Sequence, residues 1–508
     1  MTLSSLLFPK KNICTETELY FHADSATYDE SRKELFIPKG ATVAFDSYFN
    51  SFPASQYARY TTLSHIDIAL TFSGKATVSL CAASLQHGAI SERVLQECSA
   101  EGSVTLTASL SDFVDATIFY PVIHALEDVR ITAGTWTSLI EETERNVHLS
   151  VVICTYRREE FVYRNIAALP DSTADFASVL VIDNGHTLDA QKIARPFVTV
   201  IPNKNLGGSG GFTRGIMETL LRRDAFSHVL LMDDDITFEP SLLARTRAFL
   251  AVLRPEYADY ALGGALLNLE KKYIQSENGA DLKLLKSTVF GMNFDFRETN
   301  TIIKNMKINS PMYNGWWFCC MPLKVLKKDS LPFPFFIHVD DMEFGVRYFC
   351  KRIILINGIS VWHHTFEEKV SPVINYYNVR NGLIAETVTS GMSFPKFLFV
   401  LLTRYGKRLL TLPYAVEFMT QALLDYLKGP DFLLGVDGEA LNTLLREKQA
   451  WLEKKHRPAF YYYLSTAGNL LRFSVLFIAK RKTILQYRTR FSELTSWKNW
   501  SARLGLSE

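Results

Sequence analysis

Three consecutive aspartates, Asp233, Asp234 and Asp235, follow directly after the apolar run 229–232. A buried strand explains the apolar run but not the acids, because adjacent carboxylates repel one another unless a cation or solvent neutralises them. Asp233 and Asp235 are two residues apart, so an extended backbone projects both to the same side. Oxygen ligands in that arrangement suit a hard divalent cation. These residues alone fit either a cation site or a solvated acidic loop.

A second acid pair, Asp340 and Asp341, lies far downstream in a segment rich in phenylalanine. Carboxylates among aromatic side chains lose hydration, which raises their pKa toward the range that a general base needs. His363 and His364 follow an apolar run that ends in a tryptophan. Either histidine could add a third ligand to a cation held by the aspartates, and the sequence does not choose between them.

A glycine-rich segment, residues 205–211, precedes a predicted helix at 212–223. Glycines let a ligand approach the backbone, and a helix N-terminus favours anions. The segment is neither a dinucleotide-binding fingerprint nor a P-loop, which argues against those two classes. Two predicted strands have polar residues at their ends: Thr155 and Arg158 at the first, and Asp183 at the second. These side chains could contact a base, a ribose or a phosphate.

Two adjacent tryptophans, Trp316 and Trp317, follow Gly315. They indicate a stacking wall for a sugar ring. Because neighbouring residues of a strand point to opposite faces, we expect one ring in the core and one toward the ligand.

Three regions differ in pattern. Residues 1–145 contain short β-type runs separated by glycines, which favours a sandwich or a barrel. Residues 146–390 alternate apolar strands with helices, which indicates a largely parallel sheet with ligands at the carboxyl ends of its strands. Residues 391–508 have helical spacing. The predicted strands of the middle region are 148–156, 179–185, 197–201 and 229–236, and its helices include 157–169 and 212–223.

The bulk properties limit the class of protein. A chain of 508 residues exceeds one ordinary core, so several domains are expected. A net charge of +2 argues against a nucleic-acid partner. The seven cysteines form no CxxC pair, which indicates reduced thiols in a cytosol. No secretory signal and no apolar run of roughly 18 to 20 residues is found, so we expect a soluble or peripheral protein.

The C-terminal region places aromatic and apolar residues beside basic ones, as in Lys480, Arg481 and Lys482. This pattern fits peripheral contact with the cytoplasmic membrane, on its inner face, through the C-terminal helices. It fits equally a helical bundle that packs on the catalytic domain. The sequence leaves both open, and it does not reveal the oligomeric state, so a homo-oligomer is also open.

An ordered set of segments resembles the bacterial galactofuranosyltransferases of glycosyltransferase family 2, and is most similar to those that polymerise cell-wall galactan. The set spans both acid groups, the glycine segment, the tryptophan pair and an N-terminal segment. Its members are residues 49–55, 152–156, 205–212, 232–235, 314–317, 337–344 and 362–363.

The resemblance implies a multidomain α/β chain: an N-terminal β-sandwich or jelly-roll domain, a central GT-A domain with a Rossmann-like mixed sheet, and a C-terminal helical region. It implies UDP-galactofuranose as donor and Mn²⁺ or Mg²⁺ as cofactor. The implied roles are metal binding by Asp233, Asp235 and His363, general base catalysis by Asp341 beside Asp340, nucleotide binding by Thr155, Arg158, Asp183, Asn205 and Asp234, and sugar or acceptor binding by Gly315, Trp316 and Trp317.

The sequence therefore predicts an inverting, metal-dependent glycosyltransferase that adds galactofuranose to a hydroxyl of a cell-surface glycan or lipid-linked glycan. Two alternatives stay open: the same fold with UDP-galactopyranose or dTDP-rhamnose as donor, and a carbohydrate-binding protein without catalysis. Acceptor, linkage and the choice between single addition and polymerisation are not specified by the sequence.

Overall fold

The computed structural model describes residues 1–86, 88–111, 116–139, 145–364, 371–455 and 458–506. The predicted boundary at 145/146 lies beside residues 140–144, which are outside the described residues, as are the last two residues of the predicted C-terminal region. Within the described residues, a β-rich unit, a mixed α/β unit and a helical unit follow one another along the chain.

Antiparallel strands build the N-terminal unit. They are β1 (Thr2–Ser5), β2 (His22–Ala23), β3 (Thr27–Asp29), β4 (Glu34–Ile37), β5 (Thr42–Ala44), β6 (His65–Gln86), β7 (Ala89–Ser109), β8 (Thr117–Ala125) and β9 (Val129–Thr137), with helix α1 (Ala54–Tyr60) after β5.

The long strand β6 organises this unit. β7 pairs along one edge of β6, while β9 pairs with the first half of the other edge and β8 with the second half. The two halves meet near Gly74, whose φ is +84°. Buried side chains from both halves enter one hydrophobic core, so the predicted sandwich takes the form of a single sheet bent about β6.

The central unit contains a mixed sheet and a separate hairpin. The sheet strands are β10 (Leu149–Thr155), β11 (Ala177–Asp183), β12 (Val198–Pro202), β13 (His228–Asp233), β14 (Ala261–Asn268), β15 (Ile274–Glu277), β18 (Phe294–Asp295), β19 (Phe318–Pro322) and β20 (Ile353–His363). The hairpin is β16 (Ala280–Lys283) with β17 (Lys286–Val289). The helices are α2 (Glu159–Ala168), α3 (Gly207–Leu221), α4 (Leu242–Ala251), α5 (Thr299–Asn305) and α6 (Asp340–Phe349).

Strand order in the central sheet is β12-β11-β10-β13-β19-β14-β15-β18, with β20 beside β14. β10 to β13 run parallel and β19 runs antiparallel to its neighbours, which confirms the predicted mixed sheet. Alternate residues of β10, β11 and β13 enter two different hydrophobic cores, one on each face. Register pairs Thr155 with Asp183 and Cys154 with Asp233, so the polar strand ends meet at one edge.

The C-terminal unit is helical, as predicted. Its helices are α7 (Pro372–Thr389), α8 (Phe394–Thr411), α9 (Ala415–Leu427), α10 (Pro430–Gly435), α11 (Gly438–Lys455), α12 (Ala459–Ala479), α13 (Arg481–Thr489), α14 (Phe491–Thr495) and α15 (Trp497–Leu504). α7 precedes the predicted boundary at residue 391, yet it shares the hydrophobic core of the helices that follow. Among the described residues, no helix has the length and hydropathy needed to cross a bilayer.

Gly74 and Gly102 provide a matched test of the bend in β6. Both have φ of +84°, but a Cβ at Gly74 would lie 2.2 Å from the carbonyl oxygen of Asp128, whereas a Cβ at Gly102 meets open space. We expect Gly102→Ala to destabilise the fold by about 1 kcal/mol through backbone strain alone. Gly74→Ala should cost roughly a further 1–3 kcal/mol, because the strand must move away from Asp128.

Scanning calorimetry of the two variants measures the difference. Equal unfolding temperatures would contradict the close approach of β6 to Asp128.

Candidate active site

The acids that end β13 lie beside His363, which ends β20. One potential ligand atom from each of Asp233, Asp235 and His363 lies within 4.8 Å of the others. Nε2 of His363 is 3.2 Å from Oδ1 of Asp235. The structure therefore brings the three expected metal ligands together, although they are far apart in sequence.

The two adjacent histidines have different surroundings. Nδ1 of His363 donates to the carbonyl oxygen of His364, which leaves Nε2 facing Asp235. His364 is half-exposed, and its Nδ1 lies 2.6 Å from Oε1 of Glu270. A backbone partner on one ring nitrogen orients the other nitrogen for a ligand. The geometry thus favours His363.

Burial and mutual repulsion dominate the electrostatics of the triplet. Burial, reinforced by the charge of Asp235, raises the pKa of Asp233 to about 7. Burial lowers the pKa of His363, but its hydrogen bond to Asp235 and the nearby negative charges outweigh that effect and raise it. Carboxylates held together in this way gain most from a nearby cation. Two carboxylates and one imidazole form a donor set that suits a divalent cation.

Arg158 bridges Asp234 and Asp235. Its Nη1 donates to Oδ1 of Asp234 at 3.0 Å and to Oδ2 of Asp235 at 2.6 Å. The backbone oxygen of Asp234 accepts from Asn165, and Asp234 is buried. The Arg158 side chain remains 42% exposed, so it has room to turn toward a ligand. Contacts of Arg158 and Asp234 with a nucleotide stay predictions.

Asp183 shapes the loop after β11. Its Oδ1 accepts from the backbone N–H of Gly185 at 2.9 Å, and its Oδ2 accepts from that of Leu188 at 3.0 Å. The carboxylate is 3% exposed and the neighbouring Thr155 is 2% exposed. Both side chains are therefore buried at the strand ends, and their direct contact with a nucleotide stays a prediction.

The predicted start of the helix at Phe212 is wrong, because α3 already begins at Gly207. Gly207 has φ of +71°, and a Cβ there would lie 2.1 Å from the carbonyl oxygen of Phe336. A Cβ on Gly211 would lie 2.1 Å from Sγ of Cys154. The glycines therefore allow α3 to pack tightly on β10 and on the segment before Asp340. They do not form a loop ahead of the helix.

Asn205 joins this segment to the helical unit. Its Oδ1 accepts from the N–H of Gly207, and its Nδ2 donates to Oε1 of Glu439 at 2.9 Å. The hydroxyl of Tyr156 donates to the same Glu439 oxygen at 3.3 Å. Sequence reasoning missed Glu439, because nothing in the pattern of α11 indicates that its first turn reaches the central sheet.

The acid pair Asp340 and Asp341 begins α6 after a strained turn. Phe336, His338 and Val339 all have positive φ, between 64° and 76°. A β-branched residue such as Val339 rarely adopts this conformation, so the surroundings must hold it there. They do so from α7: Nδ2 of Asn381 donates to the carbonyl oxygens of residues 337 and 338, each at 2.9 Å.

Both acids of this pair are easier to protonate than an ordinary aspartate. Burial raises the pKa of Asp340, although Ser209 Oγ donates to its Oδ2 at 2.7 Å and opposes the shift. The pKa of Asp341 is raised well above its usual value by burial and then by the charge of Asp340, with smaller contributions from Glu277 and Asp233. The contribution of Asp233 indicates that the two acid groups lie near each other.

Glu277, at the end of β15, is a further acid that sequence reasoning missed. Burial raises its pKa to about 7, and among the described residues its Oε1 has no hydrogen-bond partner. Its charge raises the pKa of both Asp341 and Tyr313. A single glutamate in a short strand carries no sequence signal, because only the fold places it beside Asp341.

The expectation that one tryptophan faces the core and one the ligand is wrong. Trp316 and Trp317 point to opposite faces, but both are buried, at 5% and 6% exposure. Trp316 packs edge-on against Phe212, and Nε1 of Trp317 donates to the carbonyl oxygen of Gly264. A Cβ on Gly315 would lie 2.1 Å from the Trp317 ring, so Gly315 serves this packing. A wall formed by the ring faces is not supported.

Comparison with known proteins identifies the class. Residues 3–139 match the family Galactofuranosyltransferase 2 N-terminal, and residues 150–330 match Glycosyl transferase family 2. The second match contains the strands that end in Thr155, Asp183 and Asp233, whereas β20 lies beyond it. The chain is a glycosyltransferase.

Two proteins to which the chain is similar are galactofuranosyltransferases. Galactofuranosyltransferase GlfT2 of Mycolicibacterium smegmatis is 26% identical over 478 residues, which cover 85% of this chain and 72% of the relative. The protein of the same name from Mycobacterium tuberculosis is 25% identical over 508 residues, which cover 90% of this chain and 77% of the relative. The predicted resemblance to family 2 galactofuranosyltransferases is confirmed.

Among solved structures, S. aureus TarS 1-349 is 14% identical with a TM-score of 0.35, and the match covers 66% of this chain and 92% of TarS. A likeness this distant carries no argument about function.

The two histidines allow a matched test of the ligand set. We expect His363→Ala to weaken Mn²⁺ binding by at least about 100-fold, because replacing even a residue that only supports a ligand costs 10–100-fold. His364→Ala should leave the affinity within a few fold, since its ring faces Glu270 and solvent. Calorimetric titration or Mn²⁺ spin resonance measures both constants. Equal losses would contradict the assignment to His363.

Proposed function

We propose that this chain transfers galactofuranose from UDP-galactofuranose to a hydroxyl of a growing cell-surface glycan. The observation that carries the proposal is the convergence of two acidic groups in one site: Asp233 and Asp235 beside His363, and Asp341 at the start of α6. The first group suits a cation that binds a diphosphate, and the second suits a base. The names of the relatives support the choice of donor.

We propose Mn²⁺ or Mg²⁺ as the cofactor, held by Asp233, Asp235 and His363. When bound, such an ion would neutralise the diphosphate as it departs. Arg158 offers a second positive charge at the same place, because it contacts Asp234 and Asp235 and is only partly buried. Its guanidinium group suits bidentate binding of phosphate oxygens.

Asp341 serves as the general base. Its carboxylate takes the proton of the acceptor hydroxyl while that oxygen forms a bond to the anomeric carbon. The bond from the anomeric carbon to the phosphate oxygen breaks on the opposite face, and UDP leaves with the bonding electrons, so the configuration inverts. A buried carboxylate with a raised pKa holds the proton more firmly than an ordinary aspartate does, which favours this transfer.

Asp340 and Glu277 keep the pKa of Asp341 high through their charges. Ser209 holds Asp340 in place from α3, and Asn381 holds the preceding turn from α7. Positioning by these neighbours lets the acceptor oxygen meet the donor in a fixed geometry, which is the main source of acceleration in such a reaction.

A donor screen tests the proposed function. The protein is incubated with Mn²⁺, a galactofuranosyl acceptor and one donor at a time: UDP-galactofuranose, UDP-galactopyranose or dTDP-rhamnose. Mass spectrometry of the product should show addition from UDP-galactofuranose, and successive additions would reveal polymerisation. Faster transfer from either other donor would overturn the choice of sugar while leaving the class of enzyme intact.

Replacement of the base should remove catalysis but not donor binding. We expect Asp341→Asn to lower kcat by roughly 10²–10⁴-fold, because a buried amide cannot accept the proton. UDP affinity, measured by calorimetry with Mn²⁺ present, should change little. Full activity in this variant would exclude Asp341 as the base, and loss of UDP binding would indicate that the residue supports the donor site.

The pH dependence of kcat/KM should change when Asp340 loses its charge. The base is active when ionised, so its raised pKa places the acid limb of kcat/KM well above the usual aspartate range. Asp340→Asn removes a negative neighbour, lowers the pKa of Asp341 and should shift that limb to lower pH. Asp329→Asn, at an exposed position, is the matched control and should not shift it. An unmoved limb in Asp340→Asn would contradict the coupling.

A further inference from the structure

A positively charged side chain lies in the core of the helical unit. Arg380, near the middle of α7, is 1% exposed, and its Cζ lies between 5.1 and 5.9 Å from the ring centres of Tyr376, Tyr377 and Phe432. Burial removes the hydration of a guanidinium group, and apolar residues of similar volume often stabilise a core as well or better. The burial of Arg380 therefore indicates a role beyond filling the core.

The three nitrogens of the Arg380 guanidinium group have three different partners. Nη2 donates to the carbonyl oxygen of Phe335 at 2.8 Å, Nη1 donates to the hydroxyl of Tyr376 at 3.0 Å, and Nε donates to Oδ1 of Asn381 at 2.8 Å. Arginine has donors only, so the oxygen of the Asn381 amide must face it. The amide nitrogen of Asn381 then faces the turn at residues 336–339.

Arg380 and Asn381 together hold that turn. Nδ2 of Asn381 donates to the carbonyl oxygens of residues 337 and 338, and Arg380 adds the carbonyl oxygen of Phe335. The pair therefore binds three of four successive carbonyl groups. Positive φ values are unfavourable for residues other than glycine, so a turn that contains three of them needs such support. The next residue, Asp340, begins α6.

A buried carboxylate completes the arrangement. The hydroxyl of Tyr376 donates to Oδ2 of Asp425 on α9 at 2.8 Å, and Asp425 is 1% exposed. Nζ of Lys428 lies 2.7 Å from the other oxygen, Oδ1. The Tyr376 hydroxyl thus joins the positive charge of Arg380 to the negative charge of Asp425. Buried networks in which the groups have their partners make the surrounding structure rigid.

We propose that Arg380 is a positioning residue for Asp341, and that Tyr376 and Asp425 hold Arg380 in place. The proposal rests on the proposed function, in which Asp341 takes the proton of the acceptor hydroxyl. Arg380 acts from the core of the helical unit, through the carbonyl groups of the turn. By fixing the turn, it fixes the point at which α6 begins and hence the position of the Asp341 carboxylate.

The substitution Arg380→Lys tests this role. Lysine keeps a positive charge in the core but lacks the planar fork that reaches three partners. We expect kcat to fall by roughly 10–100-fold, because a displacement of about 1 Å at the reacting groups can cost about 100-fold in rate. The affinities for UDP and Mn²⁺, measured by calorimetry, should stay within a few fold, since the proposed metal ligands lie on other elements.

Two further substitutions separate positioning from general damage to the core. Tyr376 and Tyr426 are both fully buried, and each hydroxyl bonds between α7 and α9, to Asp425 and to Thr387 respectively. Tyr376→Phe and Tyr426→Phe should both lower the unfolding temperature. Only Tyr376→Phe should lower kcat, because the hydroxyl of Tyr426 is not part of the network that reaches the turn.

Hydrogen exchange of the full chain, followed by mass spectrometry, reports on the turn without any sugar donor. Peptides that cover residues 336–343 should exchange faster in Arg380→Lys and in Tyr376→Phe than in the original chain. In Tyr426→Phe the same peptides should exchange at the original rate.

Unchanged exchange at the turn, or full kcat in Arg380→Lys, would overturn the proposal. An equal loss of kcat in Tyr426→Phe would also overturn it, because damage to the core would then explain the loss. If the original chain transfers no sugar from any donor, the proposed function fails, whereas the exchange rates still support or overturn the hold of Arg380 on the turn.

Discussion

Repulsion among buried carboxylates is the constraint on which the rest of the site depends. Asp233 and Asp235 follow β13, Glu277 ends β15 and Asp341 begins α6, and the charges of Glu277 and Asp233 act on Asp341. Burial raises the pKa of Asp233 and of Glu277 to about 7. Arg158 and His363 supply positive charge, yet the pKa of Asp233 stays raised. A fold does not assemble such a cluster without a gain elsewhere, because each buried negative charge destabilises its neighbours. The cation and the proton acceptor proposed above would offset this repulsion at Asp233, Asp235 and Asp341.

The two acid groups are held by different parts of the structure: the first by the central sheet, and the second by the turn before α6. Asp233 is fixed by the sheet, since β13 is paired with β10 on one side and β19 on the other. Asp340 and Asp341 depend on a turn in which three of four residues have positive φ. Hydrogen bonds from α7 and α3 hold this turn. Asp233, a proposed metal ligand, therefore lies on a strand that is paired on both sides. The position of Asp341, the proposed base, depends on the packing between the central and helical units.

Sequence reasoning succeeded where a local pattern and the fold agree. The apolar runs that end in Thr155, Asp183 and Asp233 are strands whose register brings these ends together. Prediction from the sequence failed where tertiary packing alone decides the local structure. Glycines that allow a helix to approach a strand resemble those of a loop in sequence, so the start of α3 was misplaced. Glu277 has no local sequence pattern that marks it. The two tryptophans point to opposite faces as predicted, but each face is covered by a hydrophobic core.

The helical unit links the turn at residues 336–339 to the outer surface of the molecule. Phe335, Phe336 and Val339 of the turn lie in one hydrophobic core with Tyr376 of α7 and with Phe473 and Phe477 of α12. Close-packed cores transmit displacement, since their side chains have few voids into which to relax. The position of the turn before Asp340 therefore depends on how α7 and α12 pack in this core.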